Sequence, residues 1–250
     1  PHWLQHTYLE FKGLKFKRGI ICLSTAIRNG IGEYFVGLFA NKILAITEWE
    51  KDFYWIKRTK KNKLLFSPYY LHTHKRSQRS FDTNSKKRCI CLMAPNRSPF
   101  LEDGAKNLER LVASSTKVDD WSFCITGDVQ DIKLQTNNLI TPTGFIGDID
   151  SFLIESRAVA ILTNYGFGFK TKILEAANSG CWSLVTEKAF NMIPRNIKKF
   201  CIPVDIGSVQ SFENALAQCS REIKDFDSTN KLLKSILHNS IFNSFELEQT

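Results

Sequence analysis

From Cys89 onward, short apolar runs alternate with segments of helical periodicity, and this alternation constrains the fold more tightly than any other feature of the chain. The runs fall at residues 89–94, 121–126, 139–141, 158–163, 182–186 and 200–204. Several are apolar without interruption, the pattern of strands buried on both faces. Between them, residues 104–114, 148–157, 171–179 and 209–223 carry apolar side chains at three-to-four spacing, as Leu108, Leu111 and Val112 do. Strand and helix in regular succession predict an α/β fold with a doubly wound, parallel, Rossmann-like sheet.

Ahead of this region the rhythm fails between Ser67 and Arg88, where Pro68, His72, His74 and a run of Ser, Lys and Arg mark a linker. Residues 34–40 read as helix, 42–47 as extended chain and 49–56 as helix again. That pattern is too short for a complete nucleotide-binding domain. The expected division is therefore a partial N-terminal α/β segment with its linker at residues 1–80, and a complete α/β domain at 81–250. The opening stretch reads as the interior of a larger unit, so a fragment or processed product is expected.

With 43% apolar and 24% charged residues in 250, the chain has material for a substantial core. No apolar run approaches the roughly 18–20 residues that cross a bilayer. The seven cysteines are odd in number, lie mostly in apolar runs and show no repeated metal-type spacing. Reduced thiols in a cytoplasmic protein are expected. Charge is distributed unevenly: residues 1–88 hold 18 Lys+Arg against 6 Asp+Glu, net +12, and the remainder 16 against 19, net −3. The basic third suits an anionic partner such as phospholipid head groups, a lipid-diphosphate acceptor or nucleic acid, or else is a solvated face that binds nothing in particular.

The segment richest in chemistry is 158–186. A buried strand runs into Gly166-Phe167-Gly168-Phe169-Lys170, then a helix, Gly180 and another strand. A glycine-rich turn between a strand's carboxyl end and a helix start exposes backbone N–H groups, and the helix dipole adds partial positive charge. Phosphate suits such a turn. Gly166 and Gly168 permit close backbone approach, and Lys170 adds a full charge. Glu175, five residues on, can flank the same ligand and accept ribose hydroxyls. The alternative is that the glycines only tighten a turn, Lys170 and Lys172 are solvated, and Glu175 is an ordinary helix residue.

The run Gly166-Phe167-Gly168-Phe169-Lys170-Thr171-Lys172-Ile173-Leu174-Glu175-Ala176, with Gly180 and Ser183-Leu184-Val185-Thr186 after it, resembles the donor-site signature of retaining GT-B glycosyltransferases of the family 4 type. Phe123-Cys124-Ile125-Thr126-Gly127 resembles their second strand and its glycine, and Gly144-Phe145-Ile146 with Asp148 the turn that meets the base. The resemblance spans roughly 89–240. It implies a GT-B-like pair of Rossmann-like domains with a nucleotide-diphosphate sugar in the cleft between them. It also implies a glycan or lipid-linked acceptor, with no metal and no cofactor beyond the donor. Lys170 and Arg97 become the catalytic cations that hold the departing diphosphate. Gly166, Phe167, Gly168 and Phe169 contribute backbone contacts, Glu175 holds the ribose, and Phe145 and Ile146 meet the base. The chain departs from the pattern at Phe167, where many members carry a glutamate, so the donor sugar loses a side-chain partner. The resemblance also places only the closing part of the acceptor domain in this chain, so the fragment is expected to lack activity alone.

Other motifs carry less. Asp148-Ile149-Asp150 has a metal-binding form but opens a helix, where N-capping is the expected role. Cys89 and Cys91 share one face of a strand and read as core. His72 and His74 read as a solvated loop. Lys57-Arg58-Thr59-Lys60-Lys61-Asn62-Lys63, following Phe53, Tyr54 and Trp55, combines aromatics with charge. No nucleic-acid module surrounds it, so nucleic acid is the disfavoured partner and peripheral contact with the inner membrane face the favoured one. A basic nucleotide- or nucleic-acid-binding module on a Rossmann-like fold is the rival class.

Overall fold

The structure is a computed structural model that describes residues 16–71, 89–93, 99–127, 139–164, 170–223 and 225–246. Ahead of the expected linker, a long helix α1 (Phe16–Phe39) leads into two short parallel strands, β1 (Ile43–Ala45) and β2 (Leu64–Phe66). The sequence pattern located only the last part of α1. Its packed face is built from Ala26 and Gly37, both buried, with Glu33 half-buried between them, and small residues weaken the apolar period. Gly37 is there for close approach: a Cβ would lie 2.8 Å from the Arg58 carbonyl oxygen. Tyr54 OH donates to Glu33, and the Arg58 guanidinium lies 3.8 Å from the centre of the Tyr54 ring. Residues expected as one helix at 49–56 instead form a π-helical turn (Glu50–Tyr54) that passes into a 3-10 turn (Trp55–Lys57).

All six apolar runs become strands of a single parallel sheet. In chain order the elements are β3 (Cys89–Met93), α2 (Pro99–Ser114), β4 (Ser122–Thr126), β5 (Thr141–Gly144), α3 (Ile149–Glu155), β6 (Ala158–Ile161), α4 (Lys172–Asn178), β7 (Trp182–Thr186), α5 (Glu187–Met192), β8 (Cys201–Val204), α6 (Val209–Gln218) and α7 (Phe226–Glu246). The strand order is β5-β4-β3-β6-β7-β8, every neighbouring pair parallel. This is the doubly wound, Rossmann-like arrangement. β5 lies later than its expected run and carries Pro142, while β8 carries Pro203. Both are edge strands, where a residue without an N–H costs no ladder bond on the open side.

Both sheet faces are covered. Leu184 belongs to a core cluster with Ile90, Leu108, Phe123 and Phe212, whereas its neighbour Val185 belongs to another with Ile173, Leu174, Phe200 and Phe226. Alternation along β7 sends the two side chains to opposite faces. Each is fully buried, worth on the order of 1.5–3 kcal/mol apiece. Glycine also ends α4 as the sequence suggests. Gly180 adopts φ +68°, with Cys181 N–H donating to the Ala176 carbonyl at 2.8 Å and Gly180 N–H to Ala177 at 3.0 Å, a Schellman cap.

The sequence pattern did not reveal α7, which reaches back to the N-terminal segment. Asn230 is buried and brackets Leu71, accepting its N–H at 2.9 Å and donating to its carbonyl at 3.0 Å. Ser240 Oγ donates to the Phe66 carbonyl, and Tyr70 packs into the cluster that holds Phe226 and Leu233. Most of the expected linker, residues 72–88, lies outside the described residues, as do His72 and His74. Among the described residues, no helix is long and apolar enough to cross a membrane.

Asn230→Ala removes both bonds to Leu71 and leaves a buried amide and carbonyl to find other partners. The expected cost is about 1–3 kcal/mol, read as a lowered midpoint in urea unfolding. A midpoint equal to wild type shows that α7 does not fasten the N-terminal segment this way.

Candidate functional site

Because every strand of the large sheet points the same way, all six carboxyl ends lie on one edge. From β3 the chain winds outward through β4 to β5, and from β6 it winds the opposite way through β7 to β8. The reversal falls between β3 and β6. In open α/β sheets, ligands bind in the crevice outside the strand ends at such a switch point. Arg97 follows β3 in sequence and Gly166, Phe167, Gly168 and Phe169 follow β6. These five residues lie outside the described set. The residues that flank the glycine segment, Asn164 and Lys170, are described.

Lys170 immediately precedes Thr171, the N-cap of α4, and its carbonyl accepts from Ile173 N–H at 2.9 Å. Its ammonium is partly buried, and desolvation lowers its pKa. Solvated lysines were the alternative at 170 and 172; both side chains are partly buried. Lys172 is also partly buried, with a pKa lowered by desolvation and pushed back upward by the nearby Glu175 carboxylate. Burial of a cation in this way disfavours its charged form unless an anion is supplied.

Glu175 lies in the first turn of α4 and is half-buried. Since the helix begins at Lys172, its charge partner on α4 is Lys172, three residues earlier, the spacing at which helical side chains meet. Sequence analysis singled out Lys170 and passed over Lys172; the Lys–Glu spacing was the available signal. With only seven residues, α4 contributes little more than its first-turn amides to the local field.

Phe145 and Ile146 lie just beyond β5, at the outer edge of the same carboxyl side. Gly144 takes φ +68° and Gly127, beyond β4, takes φ +92°, and Gly127 N–H donates to the Gly144 carbonyl at 2.7 Å. These two glycines turn the chain sharply away from the sheet. Phe145 is left 91% exposed, with its ring open to solvent, whereas Ile146 is half-buried. β5 and β6 are three strand spacings apart, roughly 14 Å, the scale of an extended nucleoside diphosphate. Asp148 serves as the N-cap of α3, accepting from Ser151 N–H at 3.0 Å and Ser151 Oγ at 2.6 Å.

The cysteines are free thiols among the described residues. Cys91 is buried as core, and Cys89 touches Cys124 at 3.6 Å across the β3–β4 pair. This contact and burial push the Cys89 thiol upward in pKa, so it is not a ready nucleophile.

Several residues at the strand ends escaped the sequence analysis. Asp103 and Asn107 of α2, with Thr186 and Lys188 from the start of α5, all bond to the chain as it leaves β6. No local pattern announces them, because the partners are 23 to 61 residues apart.

No family model matches the chain, and no curated protein matches it. Solved structures do. Sucrose-phosphate synthase from Thermosynechococcus elongatus aligns at TM-score 0.61 and 12% identity, covering 98% of this chain and 66% of that one. TarM aligns at 0.59 and 12%, covering 87% and 46%. HepE from Anabaena, crystallised with UDP, aligns at 0.55 and 15%, covering 82% and 60%. At such identities the likeness establishes the fold, a GT-B-like α/β architecture. The chain spans about half to two thirds of the length of these neighbours.

Desolvation of Lys170 has a measurable signature. A folded-state pKa below the unfolded value means that charged Lys170 costs stability at neutral pH. That cost disappears as pH rises through the folded pKa toward the ordinary lysine value of about 10.4. Lys170→Met is therefore expected to melt above wild type at pH 7, with the gap closing as pH approaches 10. A gap independent of pH would show that the ammonium is well solvated.

Proposed function

We propose that this chain binds the donor of a glycosyltransferase, a nucleotide-diphosphate sugar, at the carboxyl edge of the six-stranded sheet. The observation that carries the reading is the place of Lys170, partly buried where the chain passes from β6 to α4 at the switch point of the sheet. A cation at the carboxyl edge beside a helix start suits a diphosphate. The fold likeness supports the reading, and HepE is a neighbour whose crystals hold UDP.

In this reading Lys170 and Arg97 stabilise the charge that grows on the diphosphate as the anomeric bond breaks. Backbone amides of Gly166, Phe167, Gly168 and Phe169 complete the cradle. Glu175 accepts from the ribose hydroxyls, and the turn at Phe145 and Ile146 receives the base. Two cations and the amides supply the positive charge, so transfer is metal-independent and needs no cofactor. Transfer of a hexose with retention, as in family 4, rests on the motif resemblance alone. The acceptor is a glycan or lipid-linked glycan of polysaccharide synthesis. Residues 1–80 contribute the end of its domain and 81–250 the donor domain. Activity of the whole enzyme requires the rest of the acceptor side. The basic first third, with Lys57, Lys60 and Lys61 exposed beside an exposed Phe53, contacts the inner face of an anionic membrane from the cytoplasm.

Calorimetric titration of the 250-residue chain with UDP- and GDP-sugars tests this. Binding is expected, and Lys170→Ala should weaken it by about 1.5–3 kcal/mol, the worth of a charge-assisted bond. Salt-sensitive RNA binding with no heat from any nucleotide sugar would instead establish the basic-module class.

A further inference from the structure

Sheet pairing along β6 ends at Ile161, which registers with Val185. Beyond it, the backbone groups of Leu162, Thr163 and Asn164 have no ladder to join, and buried backbone groups must find partners elsewhere. Side chains from two other elements provide them. Asn107 Nδ2 donates to the Leu162 carbonyl at 2.8 Å, and Thr186 Oγ1 donates to the Thr163 carbonyl at 3.3 Å. Lys188 Nζ donates to the Asn164 carbonyl at 3.4 Å.

Asp103 makes the strongest of these contacts. A single carboxylate oxygen accepts from Thr163 Oγ1 at 3.0 Å and from Asn164 N–H at 2.8 Å, with Asn107 Nδ2 behind it at 3.4 Å. Charge-assisted bonds of this kind are about twice as strong as neutral ones. Gly104, next in the helix, lies against the same stretch: a Cβ there would meet the Leu162 carbonyl carbon and Thr163 nitrogen at 3.8 Å, an ordinary van der Waals contact.

Asp103 belongs to α2, which connects β3 to β4 in one half of the sheet, while the chain it grips belongs to the other half. The contact therefore spans the switch point. Asn164 is also the last described residue before the glycine segment, six residues ahead of Lys170.

We infer that Asp103 is a positioning residue of the donor site: by clamping Thr163 and Asn164 across the switch point, it holds the carboxyl end of β6 to the β3 half of the sheet. The inference rests on the donor-binding reading. Asp103 works through the chain and contacts no substrate.

The test compares wild type, Asp103→Ala and Asp103→Asn, each as the 250-residue chain. UDP and UDP-glucose are titrated by calorimetry, and hydrogen exchange of the ligand-free proteins is followed across residues 160–175. Asp103→Ala is expected to weaken UDP-glucose binding about tenfold or more and to speed exchange from Asn164 onward. Asp103→Asn keeps an acceptor for the Asn164 amide and is expected to recover most of both. Equal affinity for wild type and Asp103→Ala overturns the inference. So does a loss in Asp103→Ala that accompanies faster exchange throughout the protein and is not recovered by Asp103→Asn. Wild type that binds neither nucleotide removes the donor-binding reading and this inference with it, an outcome told apart because the parent protein itself fails.

Discussion

Two registered residue pairs, Ile90 with Ala158 and Cys91 with Val159, join the halves of the six-stranded sheet. On one side of that seam the chain winds from β3 to β5, on the other from β6 to β8. Everything proposed about the site depends on this join, because it makes neighbours of the carboxyl ends of β3 and β6, some 70 residues apart in sequence. The four residues concerned are all fully buried, so their pairing is protected by the covering helices on each face. A shift of one residue would exchange the faces of every side chain along β6. With Ala158 and Ala160 facing one core and Val159 the other, such a slip costs burial on both sides at once.

What the seam produces is an edge where charge is held out of water. Lys170 and Lys172 both lose solvation there, and Glu175 offsets the effect for Lys172. Burial of charge opposes stability, so both ammonium groups add a cost to the fold that Glu175 offsets at Lys172. The same edge keeps Phe145 exposed to solvent beyond Gly144, a large apolar surface that contributes nothing to the core.

Legibility in the sequence followed contrast. The six strands were readable because each is a brief apolar run between polar segments, and helices such as α2 because Leu108, Leu111 and Val112 mark one face. β5 was placed too early because Leu139 and Ile140 drew attention, although the pairing falls on Thr141–Gly144. Helix α7 was invisible because part of what it buries is polar: Thr229 and Asn230 are both nearly inaccessible, and a polar residue in a helix ordinarily reads as solvent-facing. α1 was truncated for the opposite reason, since Leu23, Ile27, Ile31 and Phe35 are about half exposed while Ala26 and Gly37 face inward. At the candidate site, Lys170 and Glu175 could be singled out because the motif that contains them is local. Asp103 was not, because only the folded sheet brings it to Asn164.

The N-terminal segment is fastened to the sheet domain by a few directional bonds in addition to apolar packing. Asn230 brackets Leu71, Ser240 meets Phe66, and Arg195 N–H donates to Glu48 at 3.1 Å. Tyr70 adds packing against Phe226 and Leu233. Hydrogen bonds of this kind fix direction more than they contribute net free energy, about 0.5–1.5 kcal/mol each. Two of the three attachments come from α7, so a helix that follows the last strand of the sheet holds the segment that precedes its first strand.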